Sequence, residues 1–500
     1  MSSDSTVTST HQAKHPAFID LLPDELLLEI FAIGTLDIDG TYFPFLIAAV
    51  CSYWCSLAVN EARLWTSLTV MTSMDVPVLP SDGSCDPLAI FPREALILER
   101  SADRDLDFEI PPFCQRSESF TDGHFAVLSS LLAEHAHRIR SFEVITDNWE
   151  EIGCLCKELA VMDMPRLQKW NVISERDLVY EETYDDKGQR IESVPALAYA
   201  LDSESEPTPI QELKRPAILL YPALTDVAIC GVPVAWCQFS ASNLRKLVLT
   251  NHPWENQLMM QTLHGILSNS KDTLVTLTLR WVIAAETEWA DSRLLLNRVI
   301  LSRVEDLDIG YMHTQEACQV FEIFDFPALH ELKLQGLDEE MDSSGVFLDM
   351  MKYLPVEQLD DLSLISIQFP PGDFPDKDLV RGGSIAEKSL PLILQFIRRL
   401  ALLRNLLISP CGDAFLKYMN YGKAGSVNMA GLKELWVREY TQDLDIGIVP
   451  FLRERVELGT VDGEYVGPTI EDMTIVTDFR VGDEAKKYLK LADHTTWFSD

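Results

Sequence analysis

The chain has 500 residues, with 78 Asp and Glu against 41 Lys and Arg, a formal net charge of −37. Phosphate backbones and anionic membrane surfaces need clustered Lys and Arg, so nucleic acid and membrane are excluded as expected partners. At 47% hydrophobic residues, a chain this long can bury a large core and build more than one structural unit.

The first 16 residues hold no apolar segment of the kind a secretory signal needs, and read as a disordered leader. No run approaches the roughly 18 apolar residues of a membrane-spanning helix. The ten cysteines are scattered and sit mostly in apolar stretches, as Cys230, Cys237 and Cys318 do. That pattern suits reduced thiols in cytoplasm or nucleus better than a disulfide framework.

Three short helices are expected over residues 17–68. Leu22-Pro23-Asp24-Glu25 has the form of a helix start, with Pro near the first turn and acids behind it. Leu26, Leu27, Ile30 and Phe31 follow at helical spacing, and Gly34 ends the segment. After a turn at Asp39-Gly40, the stretch FPFLIAAVCSYWCSLAVN predicts a second helix and EARLWTSLTV a third short element. A helix whose leucines cover most of its surface needs more than one packing partner.

From residue 90 a pattern of apolar-x-x-apolar-x-apolar recurs. It begins at positions 139, 167, 224, 244, 274, 304, 329, 359, 403 and 432. The usual step is about 29 residues, in or just beyond the range of leucine-rich repeats. Between the recurrences lie helical patterns, including GHFAVLSSLLAEHAHR, EEIGCLCKELAVMD, ENQLMMQTLHGILSNS, DSRLLLNRVILS, QEACQVFEIF and GVFLDMMKYL. Each unit then reads strand, loop, helix, loop, and only stacked units can bury both faces. The fold class expected is α/β: a small helical domain at 17–68, then over 90–440 a solenoid with parallel strands on its concave side. An insertion at 175–215 breaks the rhythm; its stretch 175–206 carries ten acids against three bases and reads as a surface loop. Residues 441–500, with strand-like DMTIVTDF and a final TTWFSD, are a C-terminal cap or tail.

Catalytic constellations are absent from the sequence: no GxSxG, Walker loop, GxGxxG or HExxH is present. HAH at 135–137 and CLC at 154–156 have spacings that point successive ligands apart on a helix. Cys51 and Cys55, one turn apart on an apolar helix, read as core. No enzyme activity, metal or cofactor is expected. Most tryptophans occupy repeat positions, and Trp170 holds an inward slot, whereas Trp436 falls on the outward side of LKELWV, where it would anchor a partner.

The N-terminal block resembles the F-box. Leu22-Pro23 opens a helix, Ile30-Phe31 ends its apolar stretch, and Val50-Cys51, Trp54 and Leu57-Ala58 follow. Leu64-Trp65-Thr66-Ser67-Leu68 closes the block. The wider layout is similar to the F-box proteins of mushroom-forming fungi, which pair this block with degenerate leucine-rich repeats. The resemblance implies a substrate-recognition subunit of a cullin-type ubiquitin ligase. Leu22, Pro23, Leu26, Ile30, Val50, Cys51 and Trp54 would form or support the interface to a Skp-type adaptor, and through it to the cullin and RING subunits. Ser52, Tyr53, Cys55 and Ser56 stand where the family carries basic residues around Trp54, and AIGTLDIDGTYFPF is longer than its usual linker. The alternatives are a block that only caps the first repeat, and a leucine-rich-repeat interaction scaffold working outside any ligase.

A substrate protein would meet the outward strand positions, since side chains alternate along a strand. Those positions are Asn171, Val248, Thr250, Thr278, Arg280, Asp308, Lys333, Ser363, Trp436 and Arg438. Thr250, Arg280, Lys333, Trp436 and Arg438 are the expected substrate contacts, with Arg280 and Arg438 able to pair with phosphate.

Overall fold

Each recurring apolar hexamer supplies a strand. In the nine from residue 167 onward the first apolar residue lies two positions before the strand and is buried beneath it. Leu167, Leu244, Leu274, Val304, Leu329, Leu359, Leu403 and Leu432 are all at most 1% exposed. The computed structural model describes residues 18–35, 41–70, 86–111, 122–146, 162–174, 221–232, 236, 241–252, 257–283, 296–311, 313–336, 353–367, 392–409, 419, 429, 431–437, 460–461, 464–465, 472–476 and 494–498. The chain is a mixed α/β protein, and its contacts divide it into two compact units. Unit 1 comprises Met1–Glu143 with Met162–Arg166, and unit 2 comprises Val144–Val161 with Leu167–Asp500.

Unit 1 opens with a 3-10 turn (Phe18–Leu21) and helices α1 (Asp24–Gly34), α2 (Phe43–Val50) and α3 (Ser52–Asn60). The single second helix expected from FPFLIAAVCSYWCSLAVN is two. Cys51 is extended (φ −159°, ψ 165°) and caps α3, its Sγ accepting from the Trp54 N–H at 3.5 Å. A cysteine expected in the core is instead exposed, and Cys55 is half-buried. The chain can approach closely at Gly34, where a Cβ would meet the Phe43 ring at 2.1 Å. A 3-10 turn (Ala62–Trp65) then leads into β1 (Ser67–Thr69), which pairs in parallel with β2 (Leu106–Ile110).

Helices α4 (Pro87–Ile90), α5 (Pro92–Arg100) and α6 (Asp122–Ala133) complete unit 1 with the start of β3 (Ile139–Thr146). The Trp65 indole donates to Ala58 O at 2.7 Å, and its ring meets Phe45 edge-on at 5.0 Å. The Arg100 guanidinium covers the Trp65 ring at 4.5 Å, and Arg93 covers Tyr42 at 3.9 Å. Helix α5 thereby holds the opening helices. Its own C-terminus is closed by Arg138, which is buried and lies in a 3-10 turn (Ala136–Arg138). Arg138 Nη2 donates to Leu98 O at 2.7 Å, while Nη1 donates to Ser101 Oγ at 2.7 Å and to Arg104 O at 3.3 Å. Carbonyls at a helix end carry the negative pole of the helix, so a guanidinium is suited to the place.

Unit 2 is built on parallel strands that pair in chain order. They are β4 (Lys169–Ser174), β5 (Asp226–Cys230), β6 (Lys246–Thr250), β7 (Thr276–Arg280), β9 (Asp306–Tyr311), β11 (Glu331–Gly336), β12 (Asp361–Ile365), β13 (Asn405–Ser409) and β14 (Glu434–Val437), then β17 (Asp472–Val476) and β18 (His494–Phe498). The neighbours are in register without a slip: Leu247 faces Leu277, Leu277 faces Leu307, and Leu332 faces both Leu307 and Leu362. The region expected as cap or tail thus contributes β17 and β18.

Helix α7 (Met260–Asn269) lies between β6 and β7, α8 (Thr314–Ile323) follows β9, and α9 (Leu392–Arg399) precedes β13. The stretch DSRLLLNRVILS, expected as a helix, is instead a short strand at its described end. There β8 (Val299–Ile300) pairs in parallel with β10 (Phe324–Asp325), and β-branched Val299 and Ile300 suit that pairing. The leader 1–16, the insertion 175–215, CLC at 154–156, Arg438 and most of the two helical patterns at 150–163 and 345–354 lie outside the described residues. Two short strands, β15 (Thr460–Val461) and β16 (Glu464–Tyr465), form an antiparallel pair. Among the described residues no helix is long and apolar enough to cross a membrane.

Candidate functional site

Helix α1 is apolar on two sides. Leu27 and Phe31, one turn apart, face inward and are buried. Leu26, Ile30 and Ile33, at i, i+4 and i+7, form a second stripe that stays in water, with Leu26 52% and Ile30 45% exposed. Helix α2 repeats the arrangement: Pro44 and Ile47 are buried, whereas Leu46 and Val50 are 62% and 61% exposed. Among the described residues, nine of the fourteen exposed large hydrophobic side chains belong to residues 19–53: Ile19, Leu21, Leu26, Ile30, Ile33, Tyr42, Leu46, Val50 and Tyr53. Single exposed leucines are ordinary, whereas a concentration of this kind is not.

Of the seven residues expected at an adaptor interface, Pro23, Leu26, Ile30, Val50 and Cys51 are exposed, and Leu22 and Trp54 are half-buried. Trp54 supports the surface from beneath. Its ring lies 5.0 Å from Phe31, and among the described residues its buried indole N–H has no acceptor. Tyr53 ties α3 to α1 through a hydroxyl that donates to the Asp24 carboxylate. That bond, with slight desolvation and the Asp24 charge behind it, raises the Tyr53 pKa. Arg63 links Glu29 on α1 and Glu61 by contacts of 2.9 Å each. Burial pulls the Glu61 carboxyl up, but hydrogen bonds and charge from Arg63 outweigh it and hold the group below its ordinary range.

The second surface belongs to unit 2. In Asp226–Cys230, Lys246–Thr250, Thr276–Arg280 and Asp361–Ile365 residues 2 and 4 are buried and residues 1, 3 and 5 half-buried or exposed. Thr250, Arg280, Lys333 and Trp436 all lie on this open face, half-buried. The structure joins two of them. Arg280 Nε donates to Asp308 Oδ1 at 2.9 Å, with Nη2 on the other oxygen, and Lys333 Nζ stands 4.0 Å from the same carboxylate. Asp308, through hydrogen bond and charge, raises the Arg280 pKa against the effect of burial. Arg280 is therefore paired within the sheet by Asp308. Asp308 had been placed among outward residues, but its pairing with Arg280 across adjacent strands was legible only once register was known.

His135 and His137 flank Ala136 in a 3-10 turn, and His135 Nδ1 lies 3.2 Å from Arg138 Nη2. Among the described residues no group of three or more His, Cys, Asp or Glu is placed to hold a metal ion. No protein-family model matches the chain, and no curated protein matches it.

Proposed function

We propose that this chain is a substrate-recognition subunit of a cullin-type ubiquitin ligase. Residues 17–68 act as an F-box that docks to a Skp-type adaptor, and through it to the cullin and RING subunits. The strands of 90–440 act as a leucine-rich-repeat-like solenoid that holds a substrate protein. The chain performs no covalent step itself and works by proximity, in cytoplasm or nucleus.

The observation that supports this reading is the apolar stripe Leu26, Ile30, Ile33, Leu46 and Val50 left in water. Fully burying a leucine or valine side chain contributes about 1.5–3 kcal/mol, so each half-exposed residue keeps about 1 kcal/mol in reserve for a partner. An amphipathic partner helix is the usual means of covering such a surface. The test is retention of the purified full chain on an immobilised Skp-type adaptor. Wild type is retained, and Pro23→Ala combined with Leu26→Ala lowers affinity at least tenfold without lowering the melting temperature. A wild-type chain that is not retained refutes the proposal.

A second reading, an interaction scaffold outside any ligase, is favoured by contacts that make the helical block part of unit 1. Thr41 Oγ1 lies 2.7 Å from Thr69 Oγ1 and 3.1 Å from Ser67 Oγ on β1. Such contacts suit a cap over the first strand, and this reading replaces the first if the adaptor is not bound.

A further inference from the structure

The first residues of the unit 2 strands form a row across the open face. In order it reads Lys169, Asp226, Lys246, Thr276, Asp306, Glu331, Asp361, Asn405 and Glu434, each in register with the next. The two halves of this row differ. From β4 to β6 the charges alternate in sign. From β9 to β14 every charge is negative. Asp306 accepts from Thr276 Oγ1 at 3.3 Å, and Asp361 accepts from Asn405. Among the described residues no cation forms an ion pair with Asp306, Glu331, Asp361 or Glu434.

Like charges directly opposite on neighbouring strands destabilise a sheet. Here three stand in line, at strand spacings of about 4.8 Å. Partial burial, and then Asp306, Asp361 and Asp308, raise the Glu331 pKa. One row further along the strands the same face reads Asp308, Lys333, Ser363, Leu407 and Trp436, apolar at β13 and β14, with Ile365 one row beyond. Leu407 on β13 and Trp436 on β14 are adjacent in register and half-buried, and Ile365 on β12 is half-buried too. The face from β9 to β14, about 19 Å across, thus pairs an acidic row, offset only in part by Lys333, with an accessible apolar patch at β13 and β14. An extended peptide crosses that distance in about six residues at about 3.3 Å each.

We propose that this face holds an extended, lysine- or arginine-bearing segment of the substrate protein, with its cations on Asp306, Glu331 and Asp361 and an apolar side chain on Leu407 and Trp436. The proposal rests on the reading of the open sheet face as the substrate surface. It assigns the substrate class by charge complementarity: the row alternates in sign at β4–β6, whereas all its charges at β9–β14 are negative.

The test measures binding of a labelled heptapeptide, lysines alternating with serines and ending in leucine, to the full chain by fluorescence anisotropy at about 0.15 M salt, where charge effects beyond about 8 Å are screened. The triple variant Asp306→Asn, Glu331→Gln, Asp361→Asn is expected to lose at least tenfold in affinity while its melting temperature is unchanged or raised. A control triple of exposed acids elsewhere, Glu99→Gln, Glu134→Gln, Asp272→Asn, should change affinity less than threefold. Leu407→Ser should weaken the leucine-ended peptide at least threefold and leave a glycine-ended one unchanged. No binding to wild type, equal losses in the two triples, or equal binding of a peptide with glutamates for lysines would overturn the proposal. Adaptor retention is scored in parallel: peptide binding without adaptor retention rejects the ligase reading alone, and adaptor retention without peptide binding rejects this inference alone.

Discussion

Arg138→Met tests the argument that a buried guanidinium holds α5, and with it the opening helices. Arg138 is 1% exposed and has no carboxylate within ion-pair distance among the described residues. Its attachments are instead Leu98 O, Ser101 Oγ and Arg104 O, with His135 Nδ1 3.2 Å from Nη2. Hydrogen bonds from a charged donor contribute about 1.5–3 kcal/mol each, and a buried acceptor left unpaired costs about 1–3 kcal/mol. Two bonds of 2.7 Å and one of 3.3 Å would thus sum to several kcal/mol, offset by relief of the desolvation that lowers the Arg138 pKa. Methionine keeps most of the volume and removes every donor. A net loss of about 2–3 kcal/mol follows, and Arg138→Lys, with a single point of attachment, should lose about half as much. The assay is hydrogen exchange followed by mass spectrometry on peptides covering 92–104, beside urea unfolding. Amides of α5 should exchange roughly 30- to 100-fold faster in Arg138→Met. Exchange and stability within 0.5 kcal/mol of wild type would refute the reasoning, because a side chain that merely fills space would be replaced by methionine at little cost.

Three further outcomes follow from packing. Gln319 on α8 is fully buried, and among the described residues neither end of its amide has a hydrogen-bond partner; Gln319→Met should stabilise the chain by about 1–2 kcal/mol in urea titration. His252 is fully buried, with one ring nitrogen 2.8 Å from Val232 O and its pKa depressed by burial to about 4. Its folded pKa lies below the unfolded value near 6.5, so stability is intact above pH 6.5 and falls as pH drops towards 4. The lost stability is about 3 kcal/mol at most. His252→Phe should flatten the pH 6.5 to 4 stability profile, and an unchanged slope would count against a buried neutral imidazole. Gly34→Ala, which ordinarily favours a helix by up to about 1 kcal/mol, should instead destabilise by about 1–3 kcal/mol, since its methyl would meet the Phe43 ring at 2.1 Å.

Strand positions in unit 2 were legible because most carry a buried residue 2 and 4 and an anchoring apolar residue two positions ahead. Leucine spacing alone marks this, as at Leu274, Leu277 and Leu279. The apolar stripe Leu26 and Ile30 was legible too, because a helix with leucines on two sides cannot bury both on one small neighbour. Cys51 was not: VCSYWC continues the apolar periodicity through the break, and an extended residue with an ordinary side chain leaves no mark in composition. The strand at Val299–Ile300 was hidden because a short apolar run fits helix or strand equally, and its partner Phe324–Asp325 is remote in sequence. The Arg280–Asp308 pair and the acidic row are matters of register, which relates residues about 30 positions apart and cannot be read from either neighbourhood.

From β4 to β14 each long strand pairs with the long strand made just before it, β8 and β10 standing apart as a pair of their own. A ribosome therefore delivers each new rung to a template that already exists. No early strand waits for a late one, and the entropy of closing a loop is met in instalments of a few dozen residues rather than across hundreds. Synthesis can stall at almost any point in that series and leave an exposed edge on the last finished strand rather than an unfolded chain.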